Sequence, residues 1–298
     1  MRSLRFLPLL LALHALPAGA AAQIPAVPEL LLRVDDIGMN HAVNMAVEQL
    51  AGTGMPFSVS VMFANPWYQE AVEILKRNPQ ISVGVHLTLN SEWKNYRWGP
   101  VLGKEAVPTL VDSVGYFHPS TAEFLAQPYD LGEVERELSA QVERALRSGL
   151  KIDYVDHHMG TAAATPQLRA VVERIAKRYG VGISRYFGEV YHTLFAVPIE
   201  EKKQEFLTYI AGLKPGAPHL SVIHVARATP EMNVLVDQNN AAQNTAAGEP
   251  LVARHRQAEL ETLLSPEFAR QVQEGKVRLI TYADLIARQG LNFMKRPQ

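Results

Sequence analysis

The chain contains no cysteine among its 298 residues. This absence excludes disulfide cross-links and a lipid-anchoring cysteine, so the folded state must be stabilised by its core and by any bound metal. The sequence also lacks an excess of charge of either sign, with 29 Lys and Arg against 30 Asp and Glu. Balanced charge argues against nucleic acid or an anionic membrane surface as a partner, and we expect a small or neutral molecule instead.

A run of roughly 20 apolar residues, the length that spans a bilayer, is missing as well. The N-terminal sequence MRSLRFLPLLLALHALPAGAAAQ instead combines Arg2 and Arg5 with a short apolar stretch at residues 6–16 and a run of alanines. This pattern is typical of a cleaved secretory signal peptide. We therefore expect residues 1–22 to be removed and residues 23–298 to form one exported domain, either periplasmic or secreted.

Seven short apolar, β-branched runs predict buried strands. They lie at residues 30–34, 57–62, 81–87, 152–155, 181–184, 220–225 and 277–282. Helical patterns separate most of them, at residues 41–50, 67–76, 133–147, 165–180, 200–211, 251–264 and 265–274. The clearest helix has Thr165 at the N-cap, Pro166 at the first helical position and Gly180 as the C-terminal stop.

The alternation of near-continuous apolar strands with helices indicates a parallel sheet covered by helices. We expect an α/β, single-domain (β/α) barrel-like fold with about seven mostly parallel strands and outer helices. A doubly wound open sheet is the alternative. However, the first strand opens into Asp35 and Asp36 rather than into a glycine-rich phosphate loop.

Acids and histidines lie at or near the carboxyl ends of four of the seven predicted strands, namely Asp35 and Asp36, His86, the DHH sequence at residues 156–158, and His224. Carboxyl ends of parallel strands meet at one face of such a fold, so these side chains can converge. Taken singly, each has a simpler explanation as a turn former, a helix cap or a buried core histidine. Their joint occurrence on one face favours a functional site.

An Asp with two histidines from separate strands is a metal-binding set that leaves coordination positions open for water. A second carboxylate beside it can take a proton from that water, and a histidine opposite can give a proton to a leaving group. The pattern therefore indicates hydrolase chemistry.

Three motifs, VDDIGMNHAVN, SVGVHLTLN and YVDHHMGT, occur in this order and resemble those of the YdjC-like carbohydrate deacetylases, which include chitin-oligosaccharide and hopanoid-biosynthesis deacetylases. The resemblance spans roughly Leu30 to Leu285. It implies a (β/α) barrel-like fold and metal-dependent removal of N-acetyl groups from sugars. The implied cofactor is one divalent metal ion, for which two imidazoles favour zinc, whereas family members are also described with magnesium.

By resemblance, Asp35 matches the general base of the family, and Asp36, His86 and His158 match its metal ligands. Neighbouring strand residues point to opposite faces, so His157 is not expected to share the metal with His158.

The resemblance is weaker at other positions. Val225 follows His224 where relatives usually carry a proline, so His224 is either the catalytic proton donor or an ordinary buried histidine. Asn44 matches an Asn of the first helix, and His255 is expected on the surface of a charged helix.

Trp93, Tyr96 and Trp98 lie close together in a long segment between predicted elements. Aromatic faces suit the apolar side of a sugar ring, so these residues either bind substrate or pack as a hydrophobic lid on the barrel rim. Arg185, after the fifth predicted strand, is expected to orient substrate or to pair with Asp156.

The sequence therefore predicts an exported, metal-dependent deacetylase acting on an N-acetylated sugar, with no nucleic-acid partner and no membrane span; nothing in the pattern assigns an oligomeric state. The alternatives are a metallophosphoesterase or amidohydrolase and a non-catalytic carbohydrate-binding protein. The scarcity of positive charges beyond Arg185 in the predicted site argues against phosphate chemistry. The spare carboxylate of Asp35 argues against a protein that only binds carbohydrate.

We predict that the mature protein begins near Gln23, because alanines 20–22 form a small-residue cleavage site after the apolar stretch. N-terminal sequencing of the exported native protein tests this. Retention of Met1 would contradict it.

Overall fold

The computed structural model describes residues 27–245 and 247–297; the predicted signal peptide lies outside them. The strands are Glu29–Ile37 (β1), Ser58–Val61 (β2), Ser82–Leu87 (β3), Tyr154–His157 (β4), Gly182–Ile183 (β5), Val190–Thr193 (β6), His219–Ile223 (β7) and Arg278–Ile280 (β8). The helices are His41–Ala51 (α1), Tyr68–Lys76 (α2), Thr121–Ala126 (α3), Leu131–Arg147 (α4), Pro166–Tyr179 (α5), Lys202–Gly212 (α6), Val252–Leu263 (α7), Pro266–Gln273 (α8) and Tyr282–Gln289 (α9).

One sheet organises the fold. Its strand order is β5-β4-β3-β2-β1-β7-β6, and β8 pairs with the first three residues of β1. Every pairing between these strands is parallel. The sheet forms a half-barrel whose end strands, β5 and β6, do not pair among the described residues, and the predicted α/β barrel-like fold is confirmed in this open form. Parallel order places all carboxyl ends at one edge. Among the described helices, none combines the length and apolarity needed to cross a membrane.

The predicted elements are present, with local corrections. The last predicted strand ends at Ile280 rather than at residue 282, because Thr281 and Asp284 form a capping box that starts α9. Strand β6 was not predicted, since it is short and half exposed and therefore lacks the apolar run of a buried strand. Helices α3 and α9 were also missed.

Helix α5 forms as its sequence predicts. The Thr165 side chain accepts a hydrogen bond from Leu168 N at 3.2 Å, and Pro166 occupies the first turn. Gly180 ends the helix in the left-handed conformation with φ 65°, which costs glycine little because it has no Cβ. One face of the helix, including Val171 and Ile175, is buried in the core.

A buried tyrosine packs across strands β2 and β3 of the sheet. Tyr154 of β4 is fully buried, and its hydroxyl donates to Val59 O at 2.8 Å. Its ring packs against Tyr282 with centroids 4.1 Å apart and the ring planes tilted by 37°. The ring also covers Gly84 of β3, where a Cβ would overlap its atoms. Glycine at residue 84 is therefore required by the approach of the Tyr154 ring.

We predict that Gly84→Ala destabilises the protein by about 1–3 kcal/mol, because the added methyl overpacks a rigid, buried ring. Urea unfolding measures the change. The matched control is Gly212→Ala at the exposed end of α6, where a Cβ meets no atom within 4 Å. That control should be neutral or stabilising, by up to about 1 kcal/mol. Equal stability of the two variants would contradict the packing argument.

Candidate metal centre

A cavity of about 560 Å³ opens at the carboxyl ends of the strands. It brings together seven of the nine site residues predicted from the sequence: Asp35, Asp36, His86, Trp93, His158, Arg185 and His224. The other two, Tyr96 and Trp98, lie outside its wall. The edge of the parallel sheet thus gathers residues separated by up to 189 positions in the sequence.

The two adjacent acids both face this cavity because the backbone of β1 is distorted between them. Strand residues normally alternate between faces. Here the pairing register with β2 shifts between Val34 and Ile37, and Asp36 has a left-handed φ of 68°. The turn is braced by Asn44, whose Oδ1 accepts a hydrogen bond from Gly38 N at 2.7 Å. The bulge allows Asp35 and Asp36 to serve one site.

Three donor atoms form an equilateral triangle. Asp36 Oδ1, His86 Nε2 and His158 Nδ1 are each 3.3 Å from the other two. A tetrahedral metal with bonds of ~2.0–2.1 Å has ligand–ligand edges of ~3.3–3.4 Å. Asp36 Oδ1 is buried and receives no hydrogen bond of acceptable geometry, which leaves it available to a cation. These three residues therefore fit a metal ion.

A buried carboxylate holds the far nitrogen of each histidine. Asp156 Oδ1 lies 2.9 Å from His86 Nδ1, and Glu92 Oε2 lies 2.8 Å from His158 Nε2. Such partners fix the orientation of metal-binding imidazoles. Sequence analysis missed Glu92, because it lies in an irregular segment whose neighbours gave only an aromatic signal.

The same carboxylates stabilise the protonated rings. Burial opposes a charge on His158, but Glu92 and Asp36 outweigh it and raise the pKa to about 9. Burial also opposes a charge on His86, yet the surrounding acids, Asp156 first among them, raise its pKa well above the usual value. A metal must displace these protons, so its binding should release protons to solvent.

Arg33 is an unpredicted member of the site. Its guanidinium donates two hydrogen bonds of 2.7 Å to the two oxygens of Asp35, and a third of 2.7 Å to Ser184 Oγ. Its Nε also lies 3.0 Å from Asp156 Oδ2. The expected alternative of an ion pair between Arg185 and Asp156 is thus not found among the described residues, since Arg33 occupies that position.

Arg256 is the second unpredicted member. Helix α7 was expected to be surface-exposed around residue 255, but His255 and Arg256 are both buried. Arg256 Nη2 lies 2.6 Å from Asp36 Oδ2, and its guanidinium carbon lies 5.5 Å from the Trp93 ring centre. Burial alone would raise the pKa of Asp36, but Arg256 and the two histidines hold it well below its usual value. The site therefore holds more positive charge than the sequence suggested.

His224 enters the cavity from the end of β7. Its backbone N–H donates to Glu259 Oε2 at 2.7 Å, while its ring Nδ1 is buried without a partner. Burial lowers the pKa of this ring. His157 also lines the cavity but lies outside the metal triangle, and burial lowers its pKa to about 4. Neutral rings at both positions remain able to exchange hydrogen bonds with a ligand.

The three aromatic residues of the predicted cluster lie in different environments. Trp93 and Trp98 are both buried, but only Trp93 borders the cavity, and Trp98 donates from Nε1 to Asn90 O at 2.7 Å. Tyr96 is half-buried, and its hydroxyl donates to Met39 O. Tyr96 and Trp98 thus pack as the hydrophobic lid that was the alternative to sugar binding.

Backbone strain is concentrated at the cavity. Asp36, Met159 and Arg185 are the described non-glycine residues with positive φ, at 68°, 51° and 71°, and all three line it. Such conformations persist where surrounding structure holds them, and they cluster at functional sites. Arg185 lies with its guanidinium carbon 4.9 Å from the centre of the Tyr191 ring, at the cavity mouth.

Comparison with known proteins places this site in a family context. The sequence model of the family described as YdjC-like protein matches residues 29–274. A carbohydrate deacetylase of Enterococcus faecalis is 31% identical over 153 residues, covering 51% of this chain and 56% of the relative. One of Listeria monocytogenes is 32% identical over 161 residues, covering 53% and 61%. These alignments span little more than half the length of the relatives.

Longer alignments exist at lower identity. A carbohydrate deacetylase of Brevibacillus brevis is 25% identical over 269 residues, covering 86% of this chain and 99% of the relative. Among solved structures, an Enterococcus faecalis V583 protein described as a cellobiose-phosphate cleavage protein has a TM-score of 0.67 at 23% identity, covering 87% and 99%. The Xyl-CE4 domain of a xylanase from the hindgut metagenome of Trinervitermes trinervoides has a TM-score of 0.52 at 8% identity, covering 91% and 96%. Both solved structures share the fold of this chain.

We predict that His86→Ala and His158→Ala each lose most of the bound metal, whereas His157→Ala loses little, because His157 lies outside the donor triangle. Protein loaded with one equivalent of zinc and then dialysed would be measured by elemental analysis. Matched circular dichroism spectra confirm folding. Equal metal loss in all three variants would show that the wrong histidines were assigned.

Proposed function

This chain belongs to the YdjC-like protein family, and on that premise we propose that it is a metal-dependent hydrolase that removes an N-acetyl group from an amino sugar or oligosaccharide. One observation carries the proposal. A triangle of metal-ligand atoms from Asp36, His86 and His158 lies beside a second carboxylate, Asp35, that does not belong to it. Relatives named carbohydrate deacetylase support the substrate class.

We propose zinc as the metal. Two imidazoles and one carboxylate are a ligand set that zinc accepts, with positions left open for water. Octahedral magnesium at ~2.0–2.1 Å would require adjacent ligands only ~2.9 Å apart and prefers oxygen. The 3.3 Å separations of the donor atoms therefore favour tetrahedral zinc. When bound, such an ion lowers the pKa of a coordinated water and polarises a carbonyl group.

Asp35 is the proposed general base. Arg33 holds both of its oxygens at 2.7 Å, which fixes the direction of the carboxylate while leaving lone pairs for a further hydrogen bond. An oxygen of Asp35 lies within 4.8 Å of a ring nitrogen of His86, close to the metal triangle. From this position Asp35 can accept a proton from the attacking water.

His224 is the proposed proton donor to the leaving nitrogen. Its ring borders the cavity, and the unpartnered Nδ1 is free to exchange a hydrogen bond with substrate. The attacking water gives its proton to Asp35, and the leaving nitrogen takes a proton from His224, which must first be protonated from solvent because burial lowers its pKa. Separate residues for the two proton transfers are the usual arrangement of acid–base hydrolysis.

The proposed substrate is a sugar amide in preference to a phosphate ester. Relatives named carbohydrate deacetylase support this preference, whereas the four carboxylates and three guanidinium groups that line the cavity do not by themselves decide it. Trp93 borders the cavity, but only 2% of the residue is exposed, so it offers a sugar ring little surface. We also propose that residues 1–22 direct export of the protein. The absence of cysteine is compatible with export, because no disulfide has to form.

We predict that Asp35→Asn keeps its metal but loses turnover by ~10²–10⁴-fold, the usual contribution of a general base. Asp36→Asn should lose the metal first and activity with it. Both would be assayed for zinc by elemental analysis and for acetate released from N-acetylglucosamine oligomers.

Circular dichroism and thermal unfolding serve as folding controls for both variants. Complete metal loss in Asp35→Asn would indicate that the two acids hold the metal together. Full activity of Asp35→Asn would exclude it as the base.

A further inference from the structure

Three residues that line the cavity each carry one buried side-chain atom with no hydrogen-bond partner among the described residues: Asp36 Oδ1, His224 Nδ1 and Arg256 Nη1. The proposed function uses the first as a metal ligand and the second as the proton donor. The third is unexplained. A buried guanidinium N–H without an acceptor is unfavourable because it has lost its hydrogen bonds to water, so its retention requires a reason.

The rest of Arg256 is held firmly. Nη2 donates to Asp36 Oδ2 at 2.6 Å, and the plane of the group is supported by the Trp93 ring, 5.5 Å from its carbon. Only 4% of the residue is exposed. Nη1 shares its carbon with the nitrogen that contacts the proposed metal ligand Asp36, so the unpartnered donor lies close to that ligand.

Position and charge limit what the Nη1 group can bind. It is a cationic donor with no acceptor capacity, so its partner must be an oxygen that carries or develops negative charge. The cavity wall provides no such oxygen to it among the described residues. The missing acceptor is therefore expected to come from the ligand.

We propose that Arg256 is a catalytic residue, whose Nη1 donates a hydrogen bond to the carbonyl oxygen of the substrate's acetyl group. This proposal rests on the proposed function. In the reaction, the oxygen of water bonds to the carbonyl carbon while the carbonyl π electrons move onto its oxygen. When these electrons return, the C–N bond breaks, the nitrogen leaves as a protonated amine and acetate remains. Nη1 contacts the oxygen on which negative charge develops.

This role differs from simple charge neutralisation. Any cation at residue 256 could balance the charge of Asp36, but a guanidinium places donors on two separate nitrogens in one fixed plane, whereas an ammonium has a single nitrogen on a flexible stem. Loss of a single donor to a developing oxyanion typically lowers kcat by ~10²–10³-fold. The two roles can therefore be separated by a lysine.

The experiment compares wild type with Arg256→Lys, which keeps a positive charge at this position but replaces the two nitrogens of the planar fork with one. Acetate release from N-acetylglucosamine oligomers is divided by the zinc measured in the same sample. We expect kcat per bound zinc to fall by ~10²–10³-fold with little change in KM. The control is Arg254→Lys, an exposed residue two positions earlier in α7 that contacts Glu200. A turnover of Arg256→Lys within about threefold of wild type would overturn the proposal.

Acetate binding gives a readout that does not depend on turnover. Calorimetric titration of zinc-loaded protein with sodium acetate should show binding weakened about tenfold or more in Arg256→Lys, since a charge-assisted hydrogen bond is lost. Equal acetate affinity in both proteins would overturn the proposal. If wild type releases no acetate from any acetylated sugar, the proposed function fails, whereas acetate binding that depends on Arg256 still supports the donor.

A second variant covers the case in which lysine cannot retain the metal. Arg256→Ala would be assayed with added guanidinium chloride and, separately, with methylammonium chloride, again per bound zinc. Guanidinium restores both charge and fork, whereas methylammonium restores charge alone. Rescue by guanidinium only would support the assignment. Equal rescue by both cations, or rescue by neither, would overturn it.

Discussion

The site depends on one distorted turn of backbone. A regular strand would send Asp35 and Asp36 to opposite faces, and one carboxylate would be lost to the helix layer. The left-handed φ of Asp36 and the register shift beside it bring both acids to the same cavity. Asn44 of the first helix holds the chain just beyond this point through Gly38 N. The first strand and first helix therefore act together to define the position of the metal ligand and of the base.

Positive and negative buried side chains alternate around this turn. Arg33 lies between Asp35 and Asp156, and Arg256 lies against Asp36. Each histidine of the triangle has a carboxylate on its far side. Removing one partner from such a network leaves an uncompensated charge in a poorly solvated place, which is far costlier than the net value of the pair. The arrangement thus favours one geometry, because few others satisfy every charge.

Sequence analysis predicted those parts of the structure that depend on local pattern. Apolar runs and caps located the seven strands and the helix ending at Gly180, since hydrophobic periodicity and glycine conformation act over a few residues. The motif residues Asp36, His86 and His158 also meet, because parallel strand ends share one edge.

The partners of these residues could not be predicted in the same way. Glu92 lies in an irregular segment, Arg33 lies inside an apolar run, and Arg256 lies on a helix whose charged sequence suggested a solvated face. Their roles follow from how distant elements pack, for which single-sequence patterns carry no signal. The exposed strand β6 was missed for the related reason that an edge strand need not be apolar.

The three left-handed residues that line the cavity also affect how the thermostability of this protein can be increased. A non-glycine residue in that conformation costs roughly 1–2 kcal/mol, and glycine at residues 159 or 185 would relieve that strain. A laboratory selection for heat resistance alone would therefore be expected to accept glycine there, and each acceptance would remove a side chain from the cavity mouth. Thermostability and turnover should consequently be selected together, because natural sequences often trade some of the one for the other.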